Sequence, residues 1–189
     1  MDDWQILVKE KEYNDLLLEW NKKINLVSRK KTDVFDLIED SKLFFEAIEF
    51  KPGIKILDHG TGGGFPGIVI AIHHPEAELT LVDSIQKKIN VVTDIVKKMQ
   101  LNNVTAICSR VEELPDKYNH QFDYVVARSV TVLQDLCKYA KLLLKQEGRV
   151  VSVKGGDIAG EIQKTRKLPY IKNVKVAERG ERKIIAVGF

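Results

Sequence analysis

The sequence predicts a doubly wound α/β fold, in which a mostly parallel sheet is covered by helices on both faces, behind a helical extension at the N-terminus. Two observations predict it. After Lys51-Pro52-Gly53, short apolar segments alternate with stretches of helical periodicity, and each segment is hydrophobic enough to be covered on both faces. The first segment then runs into a cluster of glycines, the signature of a strand-to-helix turn that a ligand approaches closely. The 189 residues, 44% hydrophobic and 30% charged, suffice for one sizeable core, whereas two full domains would each be marginal. Residues 1–50 are therefore expected to form the extension and residues 51–189 one compact unit.

Within the extension, Leu16, Trp20 and Ile24 mark one helical stripe, and Val34, Leu37, Ile38, Phe44, Phe45 and Ile48 mark another. Thr32 is a suitable N-cap for the second helix, and Asp33 and Asp36 suit its positive end. The expected strands are Ile54–Leu57, Leu79–Val82, Val104–Cys108, Phe122–Ala127 and Arg149–Val153. Between them, Ile85, Ile89, Val92, Val96 and Met99 form one helix stripe, and Val132, Leu133, Leu136, Ala140 and Leu143 another. Val174–Ala177 and Lys183–Val187, on either side of a polar turn, read as a hairpin that adds an antiparallel edge.

Composition narrows the functional classes. No apolar run reaches the roughly 18 residues that cross a bilayer, and the acidic start Met1-Asp2-Asp3-Trp4 is unlike a secretory signal, so a cytoplasmic location is expected. Cys108 and Cys137 form no CxxC pair, and neither a disulfide framework nor a metal site is expected; both read as buried small hydrophobes. The net charge of +3 is modest, but its distribution is uneven. Lys22, Lys23, Arg29, Lys30 and Lys31 form one basic group, and Lys164, Arg166 and Lys167 another. Each suits either a phosphate backbone or an ordinary solvated face.

The chemistry concentrates in Asp58-His59-Gly60-Thr61-Gly62-Gly63-Gly64-Phe65-Pro66-Gly67. Five glycines in this stretch exceed what a tight turn alone requires, and Pro66 suits the first turn of a helix. Gly62-x-Gly64-x-x-Gly67, with Asp83 about twenty residues after the glycines, also satisfies the dinucleotide fingerprint. Three features favour the sulfonium cofactor S-adenosyl-L-methionine instead. Asp58 suits the cationic amino acid part of that donor and would oppose a pyrophosphate. Phe65 and Pro66 stand where a dinucleotide site keeps amides open to phosphate. Arg110-Val111-Glu112 follows the third strand, in a place suited to reading an adenine edge, although Glu112 also reads as an exposed carboxylate at a helix start.

The order of Glu19-Trp20-Asn21-Lys22-Lys23-Ile24-Asn25-Leu26, Asp58–Gly67, Leu81-Val82-Asp83-Ser84, Ser109–Glu113, Phe122–Arg128 and Val153-Lys154-Gly155 resembles the bacterial GidB family, also called RsmG. The likeness runs from about residue 13 to about residue 155. It implies a Rossmann-like class I methyltransferase fold and transfer of a methyl group from S-adenosyl-L-methionine, leaving S-adenosyl-L-homocysteine, to guanine N7 in 16S ribosomal RNA. The implied partner is 16S rRNA or the small ribosomal subunit, and a monomer is expected. By resemblance Gly60, Phe65, Val111, Glu112 and Arg128 line the donor site and Asp83 holds the ribose. Together with Asp58, Gly62 and Gly64 these form the expected cofactor site. The expected RNA contacts are Lys22, Lys23, Arg29, Lys30, Lys31 and Lys154.

Two departures from the family pattern stand out. Asp36-Leu37-Ile38-Glu39-Asp40-Ser41 lacks an Arg-His pair common in the second helix, and His59 replaces an apolar residue. The residues otherwise agree with N7 chemistry, since its lone pair needs no base to expose it. No Asn-Pro-Pro-Tyr-like element follows the fourth strand, and neither cysteine sits in a nucleophile motif. Arg128 at that strand end is the candidate positioning residue, with a salt bridge to Asp123 or another acid as its structural alternative. Trp20 is expected in the core, and Asn21 and Asn25 either face the cleft or make local hydrogen bonds. Two other functions remain open: a dinucleotide-dependent oxidoreductase, and an RNA-binding module with an inactive donor pocket.

Overall fold

In the computed structural model, which describes residues 2–128 and 131–189, the five expected parallel strands are β1 (Lys55–His59), β2 (Glu78–Asp83), β3 (Val104–Cys108), β4 (Phe122–Arg128) and β5 (Leu144–Gly155). β6 (Asn173–Arg179) and β7 (Arg182–Gly188) form the hairpin. The sheet order is β3-β2-β1-β4-β5-β7-β6, with β1 parallel to both β2 and β4 and β7 antiparallel to its neighbours. Along each central strand alternate side chains serve opposite faces. Ile56, Leu81 and Val126 join the core under α3 (Gly67–His73) and α4 (Gln86–Lys98). Leu57, Val82 and Val125 join the core under α5 (Leu133–Leu143) and α6 (Ala159–Arg166). Burial on both faces explains the near-continuous apolar runs.

The hairpin is placed differently from the simplest expectation. β7 lies inside the sheet, paired to β5 from Arg149 opposite Gly188 to Gly155 opposite Arg182, and only β6 is an edge. Ile184, Ile185 and Val187 of β7 are buried, while every residue of β6 is at least partly exposed. The more apolar strand thus takes the covered position.

The N-terminal helices share the first core: Tyr13 and Leu17 of α1 (Asp3–Asn21), and Ile38 of α2 (Phe35–Lys42), are fully buried in it. Burying a residue such as Leu17 contributes about 1.5–3 kcal/mol. Asp2 and Gln5 close a capping box at the start of α1. At its end the Asn21 Oδ1 accepts the backbone N–H groups of Leu26 (2.8 Å) and Val27 (3.0 Å), so the chain turns away and Ile24 lies beyond the helix. The cap of α2 also differs from expectation. Val34 occupies the N-cap and Thr32 makes no cap bond; Asn14 Oδ1, reaching across from α1, accepts the Val34 N–H at 2.9 Å. Glu10, 3% exposed, meets Lys42 Nζ at 2.8 Å and His73 Nε2 at 2.7 Å. Two such partners permit a carboxylate at that depth, and they join α1, α2 and α3.

Among the cysteines, Cys137 is buried and burial pushes its thiol up to about 12. Cys108 is exposed, contrary to expectation, because β3 is a sheet edge and Cys108 its last residue. Ile85 and Val132, expected in helix stripes, sit just before α4 and α5 and are exposed. No described helix is long and apolar enough to cross a membrane.

Candidate functional site

Strand order reverses between β1 and β4, so the loops that leave their C-terminal ends diverge to opposite faces and open a crevice. A cleft of about 670 Å³ lies there. Its floor is the glycine turn after β1. Gly60 and Thr61 N–H groups donate to Val82 O at 2.8 and 3.0 Å, and the Gly64 and Phe65 N–H groups both donate to Thr61 O. Gly62 has φ +59° and space beyond its Cα, so any side chain there would project toward the cleft in a strained conformation. Gly64, at φ +108°, has no such space: a Cβ would lie 2.5 Å from Ile68 Cδ1. From α1, the buried Tyr13 hydroxyl donates to Gly63 O at 2.9 Å and fixes the turn from behind.

Of the cofactor residues expected from sequence, Gly60, Gly62, Phe65, Asp83, Val111, Glu112 and Arg128 line this one cleft. Asp58 and Gly64 do not. Asp58 is fully buried beneath the turn, where its Oδ2 accepts the Gly67 N–H at 2.9 Å, so it does not face a ligand's cation. Burial pushes its carboxyl up to about 6, against the lowering effect of Thr61, the Gly67 N–H and Arg128. Gly64 is turned into the packing between Ile68 and Tyr13.

Asp83 closes β2 with its carboxylate over the turn. Oδ2 accepts the Gly62 N–H and Oδ1 the Ile85 N–H, each at 3.0 Å, and Lys88 Nζ stands 3.7 Å away. Each oxygen retains a lone pair for a ligand hydroxyl. Val111 and Glu112 start the short 3₁₀ turn after β3; Val111 is buried, and Glu112 lies 3.9 Å from Arg110. At the other end of the cleft the Arg128 guanidinium sits 5.0 Å above the centre of the Phe65 ring. Burial lowers the pKa of Arg128, opposed by Tyr13, Asp40 and Asp58. Its Nε has no hydrogen-bond partner among the described residues, and Asp123, the alternative partner, is held by Lys145 at 2.8 Å. His59 also lines the cleft, edge-on to Tyr139 at 5.9 Å, and burial lowers its pKa.

The basic candidates divide. Lys22, Lys23, Arg29 and Lys30 are exposed, and Lys22, Arg29 and Lys31 line a surface hollow with Asn21 and Thr32. Lys31 is paired with Asp36. Leu26, in the middle of this segment, is part of the cleft wall. Asn21 serves the local turn, Asn25 is exposed, and Trp20 packs against the first core with its Nε1 donating to Asp94 at 2.8 Å. Lys154 is not a free surface cation: its side chain is 11% exposed and its ammonium is engaged within the protein. In the segment that lacks the Arg-His pair, Asp40 accepts hydrogen bonds from Arg182 of β7 at 3.0 and 2.5 Å. Lys88, Thr131 and Tyr139 line the cleft without having been singled out from sequence. Lys88 alone carried a signal, one turn along the helix that follows Asp83.

A family model for GidB, described as rRNA small subunit methyltransferase G, matches residues 7–184. The chain belongs to the GidB family. Relatives of that description include those of Chlorobium chlorochromatii, 42% identical over 82% of this chain and 65% of the relative, and Chlorobaculum tepidum, 45% identical over 79% and 69%. A Clostridium novyi relative is 37% identical over 92% of this chain and 73% of its own length. The aligned region thus spans about two thirds of these GidB proteins. Among solved structures, a SAM-dependent methyltransferase from Aquifex aeolicus superposes with TM-score 0.65 at 16% identity, covering 90% of this chain and 97% of that one. A SAM-dependent O-methyltransferase from Thermotoga maritima gives 0.64 at 18% identity, covering 79% and 64%. These two likenesses establish the methyltransferase fold around the GidB cleft.

Proposed function

We propose that the protein is a monomeric cytoplasmic enzyme that transfers the methyl group of S-adenosyl-L-methionine to N7 of a guanine in the 16S RNA of the small ribosomal subunit. The observation that carries the donor assignment is the state of the α3 N-terminus. A dinucleotide site offers free amides there to a pyrophosphate. Here Pro66 has no N–H, the Gly67 N–H is bonded to Asp58 and the Ile68 N–H to Gly64 O at 2.7 Å. The first two amides of α3 are thus already engaged, and a buried carboxylate stands behind them. A neutral ribose suits Asp83, and Val111 and Glu112 suit the base beyond it. The donor supplies a methyl group activated by its sulfonium.

Guanine N7 presents an unprotonated lone pair, so no side chain has to remove a proton. The bound donor would supply its methyl group to that lone pair, with the carbon–sulfur electron pair leaving on S-adenosyl-L-homocysteine. The protein's task is to orient the base and shorten the approach, which contributes several kcal/mol, up to about 7–11. Arg128, held over Phe65 at the β4 end, is suited to fix the base. Lys22, Lys23, Arg29, Lys30 and Lys31 flank the wall residue Leu26 and are suited to the RNA backbone.

Two binding measurements test both halves of this reading. Calorimetry is expected to show binding of S-adenosyl-L-homocysteine and none of NAD; the reverse would place the protein among oxidoreductases. RNA affinity is expected to fall with salt, with a slope near 0.7 per phosphate contact. Reversing Lys22, Arg29 and Lys30 to glutamate should flatten that slope and leave S-adenosyl-L-homocysteine affinity unchanged. Equal slopes would move the RNA surface elsewhere, with exposed Lys164, Arg166 and Lys167 next to be tried.

A further inference from the structure

We propose that Lys154 and Glu161 form a positioning pair that clamps Thr131 and Leu133 at the start of α5 and so fixes the acceptor-side wall of the cleft that Thr131 lines. Lys154 Nζ lies 2.7 Å from Thr131 O and 2.7 Å from Glu161 Oε2. The same Glu161 oxygen accepts the Leu133 N–H at 2.8 Å. Leu133 begins α5, and its N-cap, Val132, has no side-chain oxygen with which to cap the helix. Glu161, reaching across from α6, supplies that cap, and Lys154 holds the same carboxylate while bonding the backbone two residues earlier. Burial works against the charge of Glu161, but Lys154 and the Leu133 N–H outweigh it and hold its carboxyl below the usual carboxylate range.

The role follows from topology, and it rests on the donor placement proposed above. Asp83 follows β2 and Val111 follows β3, so a donor held by them would lie on that side of β1 and leave the β4 side of the cleft for the acceptor. The acceptor must then enter beside the connection after β4. Thr131, whose carbonyl Lys154 holds, lines the cleft there, whereas Lys154 itself does not. Lys154 therefore acts through Thr131. With two of its three N–H donors engaged internally and little exposure, it is poorly suited to bind a phosphate.

The test uses the full chain with Glu161→Ala, Lys154→Met, the double variant and Lys154→Arg. Hydrogen exchange in the complex with S-adenosyl-L-homocysteine is expected to quicken at the Leu133 amide by tenfold or more in Glu161→Ala. A smaller change of the same direction is expected in Lys154→Met, with the β1 and β4 amides unchanged. For methyl transfer to small-subunit RNA, kcat should fall at least tenfold in either single variant. S-adenosyl-L-homocysteine affinity should stay within twofold, the double variant should be no worse than Glu161→Ala, and Lys154→Arg should recover part of the rate. Wild-type exchange at Leu133 in Glu161→Ala would overturn the clamp. So would a loss of S-adenosyl-L-homocysteine affinity in proportion to kcat, which marks a general loss of structure. A shallower salt dependence of RNA binding with kcat intact would instead make Lys154 a phosphate contact. If the wild-type protein methylated no RNA, the acceptor assignment would fall, while exchange at Leu133 would still decide whether the clamp exists.

Discussion

Gly67→Ala is expected to destabilise the protein by about 3 kcal/mol, at the upper end of ordinary overpacking costs. A Cβ at this position would stand 2.1 Å from Leu81 Cδ2, 2.8 Å from Asp58 Oδ2 and 3.2 Å from Asp58 Cβ. Leu81 is fully buried in β2 and Asp58 fully buried in β1, so neither can withdraw without moving a central strand. Any shift that makes room also lengthens the Gly67–Asp58 hydrogen bond and leaves a buried carboxylate with fewer donors. For a domain whose total stability is of the order of 5–15 kcal/mol, such a loss lowers the denaturation midpoint visibly. Gly160→Ala is the matched control. Gly160 lies inside α6, has nothing within 4 Å of its would-be Cβ, and should gain about 0.4–1 kcal/mol from reduced freedom of the unfolded chain. Urea unfolding of the two variants checks the pair. Equal midpoints would mean that the β1–α3 junction is not the tight contact described.

Asp83→Ala is expected to weaken S-adenosyl-L-homocysteine binding by about 1–3 kcal/mol, a factor of roughly 5 to 150 in Kd. Two losses combine. The ribose hydroxyls lose their acceptor, and the Gly62 N–H, now held at 3.0 Å by Asp83 Oδ2, loses the bond that keeps the glycine turn in its binding shape. Asp83→Asn retains one acceptor oxygen and should fall between wild type and alanine. Calorimetry on the three proteins measures this directly, and wild-type affinity in the alanine variant would remove Asp83 from the donor site.

Much of this architecture was legible in the sequence because a single local cause acted at each place. Strands buried on both faces must be apolar throughout, and a turn that a ligand approaches must carry glycine. The place of Asp83 at the cleft was legible because it follows a strand at the spacing that one βαβ unit fixes. What was not legible depends on residues far apart in the chain. Thr32 is a sound local cap, but Asn14 from another helix takes the Val34 N–H. Asp58 reads as a ligand residue by its place at a strand end, and only the fold shows that Gly67 turns back over it. Lys154 reads as a free cation until Glu161 and Thr131 are brought beside it. Tyr13, which holds the glycine turn, lies fifty residues from the oxygen it bonds. The hairpin read simply as an added edge, and only the pairing of β7 with β5 shows that its more apolar strand lies inside the sheet.

The central claim, that this cleft serves methyl transfer to ribosomal RNA, is tested most directly by the product. Incubation with methyl-labelled S-adenosyl-L-methionine and small ribosomal subunits, or their naked RNA, lacking this modification is followed by nuclease digestion and mass analysis of the nucleosides. The account predicts label in 7-methylguanosine from 16S RNA, greatly reduced in Asp83→Ala at limiting donor. Label in another nucleoside, in protein or in a small molecule, with 16S guanine untouched, would contradict it.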